Sequence, residues 1–178
     1  NGRGGWRIEM NGNFGYGGVA VGDVNNDGDW DVGYGMHHPN DDNDFGNQLI
    51  EVALGDGSGE NWQAWDDGLA EERGDDDWWG MFGCDFGDFN NDGLLDIASA
   101  SFGSGTGLHV YSNNGDGSWE DVLYQWGLGN SLYETYFGDI NNDGNLDLAC
   151  NIDDWEVLFG DGEGNWEDGH HNLPAPFA

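Results

Sequence analysis

The sequence predicts an all-β chain built from repeated four-stranded antiparallel units, on three observations. A nine-residue phrase occurs three times, as Asp23-Val-Asn-Asn-Asp-Gly-Asp-Trp-Asp31, Asp88-Phe-Asn-Asn-Asp-Gly-Leu-Leu-Asp96 and Asp139-Ile-Asn-Asn-Asp-Gly-Asn-Leu-Asp147. Its flanks are short, alternating, glycine-bounded runs such as Gly18-Val-Ala-Val-Gly22, the pattern of strands and not of helices. With 34 Gly, 3 Pro and ten Trp in 178 residues, no long stretch keeps a 3.6-residue apolar period unbroken. Fixed-period self-similarity is the mark of a repeat architecture.

Each repeat opens with a hairpin whose turn is the nine-residue phrase. A third strand follows and ends in a Gly-Asp-Gly turn, with a tryptophan soon after it. The instances are Gly55-Asp-Gly57 with Trp62, Gly115-Asp-Gly117 with Trp119, and Gly160-Asp-Gly162 with Trp166. In the second repeat the strands are expected at 80–87, 95–101, 107–113 and 118–124. The loops are spaced 65 and then 51 residues apart. The longer first unit carries two insertions, Met36 to Gly46 and Asp66 to Asp77, the latter with a helical turn at Leu69–Arg73. Four strands per unit of this length suggest propeller blades. We place blades at 16–67, 78–125 and 131–168 of a single domain, with a strand of a partial neighbouring blade in 1–15 and a C-terminal segment in 169–178. The recurring Trp62, Trp119 and Trp166 are expected to pack between blades.

The phrase itself reads as a cation-binding loop. Oxygen-bearing side chains stand at positions 1, 3, 5 and 9. They are Asp23, Asn25, Asp27 and Asp31 in the first loop, Asp88, Asn90, Asp92 and Asp96 in the second, and Asp139, Asn141, Asp143 and Asp147 in the third. Position 7 offers its backbone carbonyl, from Asp29, Leu94 and Asn145. Glycine at position 6 permits the positive φ of a sharp turn. An all-oxygen set of this size suits Ca²⁺ better than zinc, copper or octahedral Mg²⁺, so three Ca²⁺ sites are expected. An EF-hand would need a bidentate Glu at position 12, where Tyr34, Ser99 and Cys150 stand instead.

The formal charge is −33, with no Lys and only Arg3, Arg7 and Arg73. That excludes nucleic acid as a partner and describes a solvated, self-repelling surface. No apolar run of 18 residues exists, so no membrane-inserting helix is expected. The chain opens Asn1-Gly-Arg-Gly-Gly-Trp6, without an initiator Met or a signal peptide, and is read as a processed product or an excerpt. Loops of this class fill at calcium levels found outside the cytosol, which points to secretion or the cell surface. In that setting Cys84 and Cys150 are expected to form a disulfide.

The pattern Gly-Asp-x-Asn-x-Asp-Gly-x-x-Asp, followed by a Gly-Asp-Gly turn and an aromatic, resembles the FG-GAP and VCBS repeats. That resemblance implies calcium-binding β-propeller blades, as in the heads of integrin α-subunits and in microbial surface proteins. It implies the same ligands: the side chains at positions 1, 3, 5 and 9 and the carbonyl at 7. The family's closed propellers usually carry seven blades, and three are legible here. Further blades of a longer chain, a ring of copies, or a head-to-tail filament would cover the exposed faces.

The expected function is an extracellular calcium-binding propeller module for adhesion or ligand binding, with a protein or glycan ligand. One alternative is a subunit of a self-assembling surface filament or matrix. Another is a non-catalytic carbohydrate-binding domain, with Trp65, Trp126 or Trp155 stacking on sugar. The pairs His37-His38 and His170-His171 read as solvated loop residues, and Trp78-Trp79 as one ring in and one out. No nucleophile elbow, zinc motif or phosphate loop is present, so no enzymatic activity is expected.

Overall fold

A computed structural model describes residues 18–35, 49–69, 83–100, 107–125, 134–152 and 154–169. Among the described residues there are twelve strands and no helix, hence none long and apolar enough to cross a membrane. The first sheet contains β1 (Val19–Gly22), β2 (Asp31–Gly35), β3 (Ile50–Gly55) and β4 (Trp62–Ala64). The second contains β5 (Gly83–Gly87), β6 (Asp96–Ala100), β7 (Leu108–Asn113) and β8 (Trp119–Gln125). The third contains β9 (Thr135–Gly138), β10 (Asp147–Ile152), β11 (Asp154–Gly160) and β12 (Trp166–Asp168). Every sheet is an antiparallel meander in chain order. In the second repeat the observed strands fall within a few residues of the expected ones, because both its turns are encoded locally.

The sheets stack face to face, with β1 and β2 against β5, and β5 and β6 against β9. Two apolar clusters fill the gaps. One joins Val24, Val52 and Leu54 of the first repeat to Cys84, Ile97 and Trp119 of the second. The other joins Phe89, Ala98 and Val110 of the second to Leu148, Cys150 and Leu158 of the third. The expected inter-unit role of the tryptophans is visible in two of them. Trp119 Nε1 donates to the Trp65 carbonyl at 2.7 Å. The Trp166 ring centroid lies 5.7 Å from that of Phe89. Trp62 instead packs with Tyr34, Val32 and Ala53 of its own sheet. The chain leaving β4 also reaches the next sheet, where Asp67 bridges Ser118 in parallel.

The expected Cys84–Cys150 disulfide is corrected by this arrangement. Both are buried free thiols. Cys84 sits in the cluster between sheets one and two, and Cys150 in the cluster between sheets two and three. Each faces the sheet that precedes its own, so the second sheet stands between them. Burial pushes the Cys150 thiol up to about 12, with Glu156 adding to the effect, so neither is a reactive thiolate.

Several expectations lie outside the described residues: the terminal segments 1–15 and 170–178, Met36 to Gly46, the turn beyond Leu69, both His pairs, Trp78, Trp79, Trp126 and the side chain of Trp155. Trp65 is described. It packs against the first cluster instead of presenting an open ring.

Candidate metal centre

The three phrases form three loops of one geometry, at the same end of their sheets. Position 1 anchors each. Asp23 accepts from Asp27 N–H at 3.0 Å and from Gly28 N–H at 2.9 Å. Asp88 accepts from Asp92 and Gly93, both at 3.0 Å, and Asp139 from Asp143 and Gly144. Position 3 accepts from the N–H of position 5, and position 5 from that of position 7. The chain therefore curls around its own oxygens. Two backbone sites make the curl possible. Gly28, Gly93 and Gly144 adopt φ of 93°, 91° and 95°, and the position-4 asparagines Asn26, Asn91 and Asn142 adopt 59°, 58° and 62°. Among residues with a side chain, asparagine tolerates that left-handed region best. The asparagine at position 4 was visible in all three phrases, but ligand spacing gave it no role.

Position 9 has a role that spacing did not reveal. Asp31, Asp96 and Asp147 are fully buried. One oxygen of each accepts from the N–H of position 2: Val24 at 2.8 Å, Phe89 at 3.2 Å and Ile140 at 2.8 Å. The other accepts from the end of the third strand: Gly55 at 2.9 Å, Asn113 at 2.9 Å and Gly160 at 3.1 Å. This carboxylate ties the loop to the turn beside it. Burial raises Asp31 above the usual carboxylate range, and the charges of Asp27 and Asp23 add to that. Burial likewise pushes Asp96 up to about 7 against its two N–H donors, with Asp92 and Asp88 adding repulsion.

Side chains at position 7 lie against the Gly-Asp-Gly turn. A Cβ on Gly57 would meet the Asp29 carboxylate, one on Gly115 would lie 3.2 Å from Leu94 Cδ1, and one on Gly162 would lie 2.5 Å from Asn145 Oδ1. The first two loops also touch, since Asn26 Nδ2 donates to the Gly93 carbonyl of the next loop at 2.9 Å.

The donor set fits a hard cation. It is all oxygen, and a carboxylate that accepts one N–H per oxygen keeps further lone pairs. Among the described residues, no three acidic, histidine or cysteine side chains are already gathered into a cage. Within each loop the position-3 amide donates to the position-5 carboxylate, as Asn25 does to Asp27 at 2.8 Å. An incoming ion would displace that contact. It would also offset the mutual repulsion of positions 1, 5 and 9 that helps raise Asp31 and Asp96.

Comparison with known proteins bears on the second and third repeats. The sequence model of the FG-GAP-like repeat matches residues 88–150. That span begins at the first Asp of the second loop and runs through the third loop into β10. No curated protein matches the chain.

Proposed function

We propose that the chain is a calcium-binding module of a secreted or cell-surface protein, in which each sheet is a propeller-type blade and Ca²⁺ is structural. The observation that carries this reading is the triple recurrence of one acidic loop, each copy ending in a fully buried carboxylate. A buried carboxylate close to two like charges is costly unless a cation or fixed dipoles compensate it. Two N–H donors supply part of that compensation, and a divalent ion bound by positions 1, 3, 5, 7 and 9 supplies the rest. The FG-GAP-like match over residues 88–150 supports the same assignment. The module's work is binding or adhesion, not catalysis. Its charge of −33 suits an ionic, calcium-containing exterior.

Calorimetric titration of the chelator-treated chain with Ca²⁺ tests the reading. Three ions per chain are expected. Asp92→Ala removes a position-5 carboxylate and is expected to lower the count to two. A titration without binding heat, or an unchanged count in the variant, would contradict the assignment.

A further inference from the structure

We propose that the first and second nine-residue loops take up Ca²⁺ as a coupled pair, joined by Asn26 and Asn113, while the third loop takes up its ion independently. The inference rests on the calcium reading above and names two positioning residues, neither of them a ligand.

Two side-chain amides cross from one loop to the other. Asn26 Nδ2, at position 4 of the first loop, donates to the Gly93 carbonyl at 2.9 Å. That carbonyl belongs to the same peptide as the Leu94 N–H, which donates to Asp92 at 2.8 Å. Asn113, buried at the end of β7, donates through Nδ2 to the Val24 carbonyl at 2.8 Å. Val24 N–H donates to Asp31, and Asn113 N–H donates to Asp96. Two residues thus connect the buried carboxylate of one loop to that of the other. Asn113 is itself held in place, because its Nδ2 also reaches the Leu95 carbonyl at 3.1 Å and its Oδ1 accepts from Gly115 N–H at 2.9 Å.

Neither link recurs between the second and third loops. In the third repeat the place of Asn113 is taken by Gly160, whose N–H donates to Asp147 in the same way but which has no amide to offer. A Cβ there would lie 2.2 Å from the Leu146 carbonyl oxygen. Among the described residues Asn91, the counterpart of Asn26, makes no bond to the third loop, and its Nδ2 lies beside Gly162 instead, 2.8 Å from where a Cβ would stand. What meets Phe89 at that interface is aromatic, with the ring centroids of Trp166 at 5.7 Å and Phe137 at 6.5 Å.

The coupling follows from what an ion must fix. A cation in the first loop holds that loop's backbone, and with it the Val24 carbonyl and the Asn26 amide. Those two groups in turn hold Asn113 and the Gly93–Leu94 peptide, so the second loop has less freedom left to lose when its own ion binds. Linkage makes the effect reciprocal. Charge acts the other way, since two bound cations repel, so coupling of positive sign separates the hydrogen-bonded route from electrostatics.

Calorimetric titration with Ca²⁺ tests this in chains that keep chosen loops. Asp143→Ala keeps loops one and two, Asp27→Ala/Asp143→Ala keeps the second alone, and Asp92→Ala/Asp143→Ala keeps the first alone. The overall association constant of the pair is expected to exceed the product of the two single-loop constants by at least about fivefold. The same comparison for loops two and three, with Asp27→Ala, Asp27→Ala/Asp143→Ala and Asp27→Ala/Asp92→Ala, is expected to give a ratio of one. Asn26→Gly/Asn113→Gly removes both links without touching a ligand side chain or a charge, and is expected to bring the first ratio down to the second. Glycine suits both places, because Asn26 has φ of 59° and because Gly55 and Gly160 stand where Asn113 does. Should the double change prevent folding, Asn26→Gly alone, at an exposed residue, is expected to lower the ratio part of the way. A first ratio at or below one, a first ratio that the glycine changes leave unaltered, or an equal ratio for loops two and three would each overturn the proposal. Chains that bind no Ca²⁺ would overturn the calcium reading with it, whereas three independent sites would overturn the coupling alone.

Discussion

Each sheet carries two acidic turns at the same end, and they differ in how their charge is met. In the Gly-Asp-Gly turns the aspartate is satisfied by its own neighbours. Asp56 accepts from Ser58 N–H at 2.9 Å and from Asn61 Nδ2 at 2.7 Å, Asp116 from Ser118 N–H at 3.1 Å, and Asp161 from Glu163 and Asn165. The Ser58 hydroxyl on Asp56, the Ser118 hydroxyl on Asp116 and the Asn165 amide on Asp161, with those other donors, hold all three carboxyls below the usual range. In the nine-residue loops the carboxylates crowd together, the last is buried in each, and burial raises Asp31 and Asp96. Acidic composition alone therefore does not mark a cation site. Crowding and burial set the nine-residue loops apart, because they leave charge that nearby dipoles do not fully offset.

The largest expected effect is on the loops together. If the three loops hold calcium as proposed, ~100-fold excess of the ion would stabilise the fold by about 8 kcal/mol, so chelation is expected to lower the melting temperature steeply. A scan unchanged by EGTA would erase the distinction between the two turns.

Next in size is Asp96→Ala. It leaves the N–H groups of Phe89 and Asn113 without their acceptor, at a cost of about 3 kcal/mol. Denaturant unfolding in EGTA measures this tie apart from any ion. A loss that disappears without calcium would mean the carboxylate matters only as a ligand.

A smaller effect separates the turns from the loops they touch. Gly57 has φ of +72° and meets Asp29. Gly57→Ala is expected to cost about 1 to 2 kcal/mol in thermal unfolding, while Gly59→Ala, with an open site and φ of +71°, is expected to cost less.

The smallest effect is acid sensitivity of the turns. Because Asp56, Asp116 and Asp161 are lowered in the fold, what they contribute is present above the unfolded value of 3.8 and is lost as pH falls through the folded values. The triple Asn variant is expected to show a slightly flatter loss of stability below that pH, measured by urea unfolding in EGTA. An unaltered acid profile would show that the turn bonds carry no net stability.

Features governed by near neighbours in sequence were legible. Loop spacing, the glycine at position 6 and the alternation around it are local constraints, and the second repeat's strands followed from them. The cysteines were misread for the opposite reason. Their spacing allowed a bridge, and only sheet stacking showed that Cys84 and Cys150 face different interfaces.

Sequence by itself determined a strand-rich repeat with three oxygen-lined loops, because turn geometry and strand alternation act over fewer than ten residues. Tertiary structure decided the rest: that position 9 ties loop to third strand, that position 4 of the first loop reaches the second, and that the two cysteines lie in different interfaces. Those outcomes depend on groups brought together from distant parts of the chain, and residue spacing carries no record of which side of a sheet its neighbour will cover.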